Sequence, residues 1–161
     1  MDDNSAREKL VGVGGWLALL VFLLMIICPI LLLLRAMANV REAAILNQVL
    51  FGANTQSYIS SSWILGFIAA SVSIFLAYRL IAARQWSSIR IAVIGLWFLA
   101  LMPILVDFAM KAAFFTDVAD YRASLVPNAL RAAGISCGFS VVWTAYLVMS
   151  KRVAYTYDKP A

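Results

Sequence analysis

Histidine does not occur in this sequence, and cysteine occurs only at Cys28 and Cys137, each inside an apolar run with no ligand residue beside it. A metal centre of the usual His and Cys kinds is therefore not expected, nor is a nucleophile activated by a histidine base. Charge is scarce as well. Asp, Glu, Lys and Arg make up 13% of the chain and hydrophobic residues 64%, whereas an ordinary soluble domain carries about 25% charged residues. That scarcity excludes a water-soluble globule. Gly12-Val13-Gly14-Gly15 lacks the later Gly-Lys-Ser/Thr of a phosphate loop, so no nucleotide or other cofactor is expected. The net charge of +5 is spread over connections and ends and forms no basic face, which argues against nucleic acid as a partner.

What the chain does have is long apolar runs. The first, Val11 to Leu34, lies between Lys9 and Arg35; roughly 24 residues rise about 36 Å as a helix, enough to cross a hydrocarbon core of about 30 Å. It is too long for the h-region of a cleaved signal, about 7 to 15 residues, so this span is expected to stay in the mature protein. Three similar runs follow. The expectation is an all-α polytopic membrane protein, one membrane domain over residues 1–161, with spans at about 11–34, 59–80, 89–110 and 131–150. Two connections, 35–60 and 111–130, are mixed in polarity, and each predicts a short helix lying in the outer interface. In the second of these, Thr116 reads as the N-cap, with Asp117 and Asp120 in the first turn, and Pro127 as the stop. Ser5 and Glu8 form a capping-box pattern for one further turn ahead of the first span, and the glycines after it turn the chain into the bilayer.

Orientation follows from the cations. With the N-terminus inside, Arg7, Lys9, Arg79, Arg84, Arg90, Lys151, Arg152 and Lys159 fall in the cytoplasm, and Arg35, Arg41, Lys111, Arg122 and Arg131 fall outside. The bias places both termini in the cytoplasm. It also gathers Arg79, Arg84, Arg90, Lys151 and Arg152 near one set of headgroups, a basic rim suited to anionic lipid.

Within the spans, Pro29 and Pro103 each remove a helical hydrogen bond near the outer end and predict kinks. Ser62, Gly66 and Ala70, with Ala69, Ser73 and Ala77 alongside, form a stripe of small residues suited to close helix packing. Gly134 and Gly138 make a GxxxG in the fourth span, a second close-packing signal that does not say whether its partner lies in this chain or another. Asp107, at the edge of the third span, needs a cation; Lys111 follows four residues on, and Arg131 opens the next span from the same side. The first and third spans both carry Pro-Ile-Leu (29–31 and 103–105), and the second and fourth both carry Gly-Phe (66–67 and 138–139), a pattern of two similar hairpins found in transporters and in plain scaffolds alike. Cys28 and Cys137 would meet only if the first and fourth helices touch.

Gly12-Val13-Gly14-Gly15-Trp16-Leu17, the late proline of the first span, and Trp143, Tyr146 and Ser150-Lys151-Arg152-Val153 with Thr156 together resemble the bacterial inner-membrane family catalogued as domain of unknown function 2569. Tyr157 stands where that family often has Phe. The resemblance covers nearly the whole chain and implies a small protein of about four spans, with no reaction assigned. It directs attention to Gly14, Gly15, Trp16, Lys151 and Arg152, which anchor or seal the cytoplasmic end of the bundle in the plainer reading.

Two classes of function remain. The leading one is a non-enzymatic inner-membrane component of the envelope, an assembly or scaffold protein that associates with itself or with another membrane protein. The alternative is a small oligomeric carrier or channel, shaped by the two prolines and Asp107. Ion-coupled carriers bury acids deep in their spans, and here only Asp107 qualifies, near the outer edge. An intramembrane enzyme is not expected, because the spans hold neither a histidine nor an acidic pair.

Overall fold

The computed structural model describes the backbone of residues 15–50, 55–114 and 119–157 and the side chains of residues 15–45, 55–113 and 123–157. The Ser5 turn, Gly14, Thr116 and Asp117 lie outside these residues. The described backbone is helical apart from short connections: α1 (Trp16–Phe22), a π-helical turn (Leu23–Ile27), α2 (Cys28–Leu50), α3 (Thr55–Ala82), α4 (Trp86–Phe114), α5 (Ala119–Met149) and α6 (Lys151–Thr156). A backbone surrounded by lipid has to satisfy its amides internally, and helices do so within one segment. Among the described residues four helices are long and apolar enough to cross a membrane: Trp16–Ile45, Thr55–Ala82, Trp86–Ala113 and Ala123–Met149, here the first to fourth spans.

Among the described residues neither outer connection holds the separate interfacial helix expected of it. α2 continues from the first span to Leu50, and α5 begins at Ala119 and runs through Pro127 into the fourth span. The residues after Arg35 hold no Gly or Pro until Gly52, so nothing in them stops a helix once it leaves the hydrocarbon. Pro127 deprives the Ala123 carbonyl of its amide, but Ala123 and Ser124 are exposed near the helix start, where a polar surrounding can take that carbonyl.

Pro29 shapes the first span in a different way from a plain kink. The turn just before it is π-helical, with the Cys28 amide bonded to the Leu23 carbonyl. Pro103 is carried inside the third span without such a turn.

Spans adjacent in sequence pack side by side, first on second, second on third, third on fourth. The small stripe of the second span does what its spacing predicts: Ser62, Gly66, Ala69, Ala70, Ser73 and Ala77 are all buried, and a Cβ on Gly66 would sit 3.0 Å from that of Ala36. Among the described residues, the first and fourth spans do not pack along their lengths. They converge at one end, where the Trp16 and Trp143 rings lie 6.4 Å apart. That end also holds the main apolar core, with Leu17, Leu20, Leu80, Ile89, Leu147, Val153 and Tyr157 in one cluster. The extended Ser150 breaks the fourth helix and turns α6 back under the bundle.

Candidate functional site

At the opposite end from this core lies the most polar buried cluster among the described residues, centred on Asp107, which is 7% exposed. The third span brings Asp107 and Lys111 to one face by their i, i+4 spacing. The first span faces them with Arg35, Asn39 and Glu42, spaced i, i+4 and i+7 along a helix that has already outrun its apolar run. Tyr58, at the start of the second span, closes the third side.

The geometry divides the two carboxylate oxygens. Oδ1 accepts from the Asn39 amide at 2.9 Å and from the Tyr58 hydroxyl at 3.0 Å. Oδ2 faces the Arg35 guanidinium and the Lys111 ammonium, each at 3.5 Å. Lys111 in turn donates to Glu42 Oε2 at 2.7 Å. Two cations thus answer two carboxylates, so a charge that would be costly alone is compensated between the first and third spans, and Tyr58 of the second adds a hydrogen bond. Both oxygens of Asp107 are engaged, which suits a clamp better than a general base. Beside the cluster is a cavity of about 140 Å³, lined by Arg35, Asn39, Glu42, Asp107 and Lys111 on one side and by Ser124, Asn128 and Ala132 of the fourth helix on the other.

Arg131 takes no part in this. It is exposed, and the cation expected from the fourth span is replaced by Arg35 of the first. Chain proximity made Arg131 the nearer choice; the order of helices around the bundle put the first span beside Asp107 instead. Asn39 and Tyr58 were not singled out from the sequence at all, although extending the first helix past Arg35 would have aligned Arg35, Asn39 and Glu42.

At the other end, Gly15, with Trp16 next to it in the chain, lies beside Arg152. Gly15 has φ +59°, a conformation that favours glycine, and a Cβ there would lie 3.3 Å from the Arg152 guanidinium. Lys151 and Arg84 are exposed, and Arg152 is half-buried. Arg84 acts electrostatically on the buried Tyr157, whose phenol donates to the Leu80 carbonyl. Pro29 and Pro103 are buried within their spans. Cys28 and Cys137 are free thiols.

For Gly134 and Gly138 the sequence left open whether the partner lies in this chain or another. Both are exposed, and a Cβ built on either meets nothing within 4 Å. Among the described residues no helix packs on the motif, because the fourth span packs on the third through another face, marked by Ser140 donating to the Leu96 carbonyl at 3.2 Å.

A family model described as protein of unknown function (DUF2569) matches residues 10–157. No curated protein and no solved structure matches the chain.

Proposed function

This chain belongs to the DUF2569 family of proteins of unknown function, and from that premise we propose that it is a non-enzymatic component of the bacterial inner membrane, with both termini cytoplasmic, that serves as an assembly or scaffold protein. The observation that carries this reading is the Asp107 cluster. Asp107, the acid at the edge of the third span, is bonded from three helices, its own included, as in a rigid support, with both oxygens engaged. The fourth span supplies the surface to be covered. Of its apolar window 17% is buried, against 39% for the second and third spans, and its Gly134 and Gly138 face is open. A partner helix of a second copy or of another membrane protein would close on that face, where missing side chains let backbones approach. The basic rim of Arg79, Arg84, Arg90, Lys151 and Arg152 would rest on anionic cytoplasmic headgroups.

The test joins a phenotype to an interface. With Cys28 and Cys137 replaced by Ser, a cysteine at Val141, exposed one turn on from Gly138, should cross-link in membranes, and Gly138→Leu should abolish both the cross-link and complementation of the envelope defect of a deletion strain. A fully complementing Gly138→Leu variant would refute the scaffold surface. The cavity beside Asp107 supports one rival, the carrier. If Asp107→Asn abolishes a proton or cation flux in proteoliposomes while the fold keeps its melting temperature, the carrier reading replaces the scaffold.

A further inference from the structure

The first and fourth spans converge at Trp16 and Trp143 and leave a slot beyond that point, walled by both and floored by the third span. Its volume is about 270 Å³, and Leu24, Leu31, Leu99 and Phe139 make it apolar. The hydroxyl of Ser140 in its wall is turned to the Leu96 carbonyl. The polar cavity stacks directly on this slot: Arg35 lies one turn beyond Leu31, Ile104 one turn beyond Ala100, and Ala132 one turn before Ser136.

We propose that slot and cavity together form a binding site for one phospholipid with a zwitterionic, ammonium-bearing headgroup, its acyl chain in the slot and its phosphate on Arg35. Length supports the acyl chain. From Leu24 to Arg35 the first span rises about 16 Å, close to one leaflet of a hydrocarbon core of about 30 Å. Width excludes a helix, since a cylinder about 10 Å across and 16 Å long displaces roughly 1,200 Å³. The slot is far narrower than that. The order of charges selects the head. Arg35 stands next to the slot, and Glu42 lies seven residues further out, about 10 Å along the helix, so the surface presents a cation first and a carboxylate second, as a phosphate followed by an ammonium requires. Because Arg35 and Lys111 are matched by Asp107 and Glu42, a head with net negative charge gains nothing overall. The site lies on the far side of the fourth helix from Gly134 and Gly138, given 3.6 residues per turn, so it does not depend on the scaffold reading.

The experiment is native mass spectrometry of the full-length protein in mild detergent, offered equal phosphatidylethanolamine and phosphatidylglycerol with the same acyl chains. One phosphatidylethanolamine per chain should be retained, in about tenfold preference. Ser136→Phe, which fills the slot, should reduce retention about tenfold, and Ile64→Phe, on an exposed face of the second span, should not. A second measurement needs no variant: a phosphatidylethanolamine with a photoreactive mid-chain group should label wild-type peptides containing Leu31 and Phe139 above those containing Ile64 and Phe67. Equal retention by Ser136→Phe, a preference for phosphatidylglycerol, or labelling spread evenly over the lipid-facing helices would each overturn the site.

Discussion

The hydroxyl of Ser73 donates to the carbonyl of Leu24 across the interface of the first and second spans, at 2.6 Å. That carbonyl is the one orphaned by the register change before Pro29. In the π-helical turn the Cys28 amide goes to Leu23, and the next residue, Pro29, has no amide to give to Leu24. An unbonded carbonyl is expensive in lipid. Ser73, fully buried in the small-residue stripe, supplies the missing donor from a neighbouring helix, so a local fault in one span becomes a tertiary bond.

Ser73→Ala should therefore lower stability by about 1 to 3 kcal/mol, the penalty for a buried acceptor left alone. The loss should shrink when Pro29 is replaced by Ala, which restores an amide and lets the α-helical register return. Thermal melting of the four proteins of this double-mutant cycle measures the coupling. Equal losses in both backgrounds would mean that Ser73 and Pro29 act independently.

Asp107→Asn should cost about 3 kcal/mol, because Arg35 and Lys111 would keep their charge after losing their shared counterion. Arg131→Ala should change stability by less than about 0.5 kcal/mol, as expected of an exposed side chain outside the cluster. The exchange of Asp107→Arg with Arg131→Asp should rescue nothing. Recovery of the melting temperature in that double variant would place Arg131 beside Asp107 after all.

The spans, the buried stripe of the second helix and the need of Asp107 for compensation are all legible in the sequence, since each is a property of composition and spacing along a single helix. The partners of Asp107 are not. They depend on which helix lies beside which, and Arg35 was easily read as the charge that ends a span when it is the first of three polar residues on a helix that continues. The GxxxG signal is similarly local: Gly134 and Gly138 announce a smooth face, while the fourth span packs through Ser140 and leaves that face open among the described residues.

Two glycines on neighbouring helices should respond oppositely. A Cβ on Gly95 would lie 2.4 Å from the Leu76 side chain, which is itself 2% exposed and has little room to retreat. Gly95→Ala should destabilise by about 1 to 3 kcal/mol through overpacking. Gly138→Ala meets open space and gains helix propensity, so the isolated bundle should melt at the same temperature or slightly higher. A large loss at Gly138 in a preparation verified as monomeric would contradict the open face.

The last prediction concerns Tyr157, which is fully buried beneath the bundle with its phenol donating to the Leu80 carbonyl. Leu80 lies in the last turn of α3, just past Arg79, whose carbonyl takes the Ala83 amide, so the bond caps the second span from a segment that lies beyond the fourth. Burial pushes the phenol up to about 12, and Arg84 works against that shift. The ordinary tyrosine value is about 10. A group raised on folding stabilises fully below its unfolded value and loses that contribution as pH climbs through the folded one. Tyr157→Phe should therefore cost about 1 kcal/mol near neutrality, where the wild type has the extra hydrogen bond. The difference should shrink as the phenol is forced to ionise, across the interval from the usual tyrosine value up to about 12. The other tyrosines titrate in both proteins and cancel from the comparison. Arg84→Ala removes the influence that lowers the phenol, so it should move the narrowing to higher pH. Melting curves of wild type, Tyr157→Phe, Arg84→Ala and the double variant over an alkaline series decide the matter. A wild-type advantage that stays constant through that whole interval would show that the Tyr157 hydroxyl contributes nothing that ionisation removes.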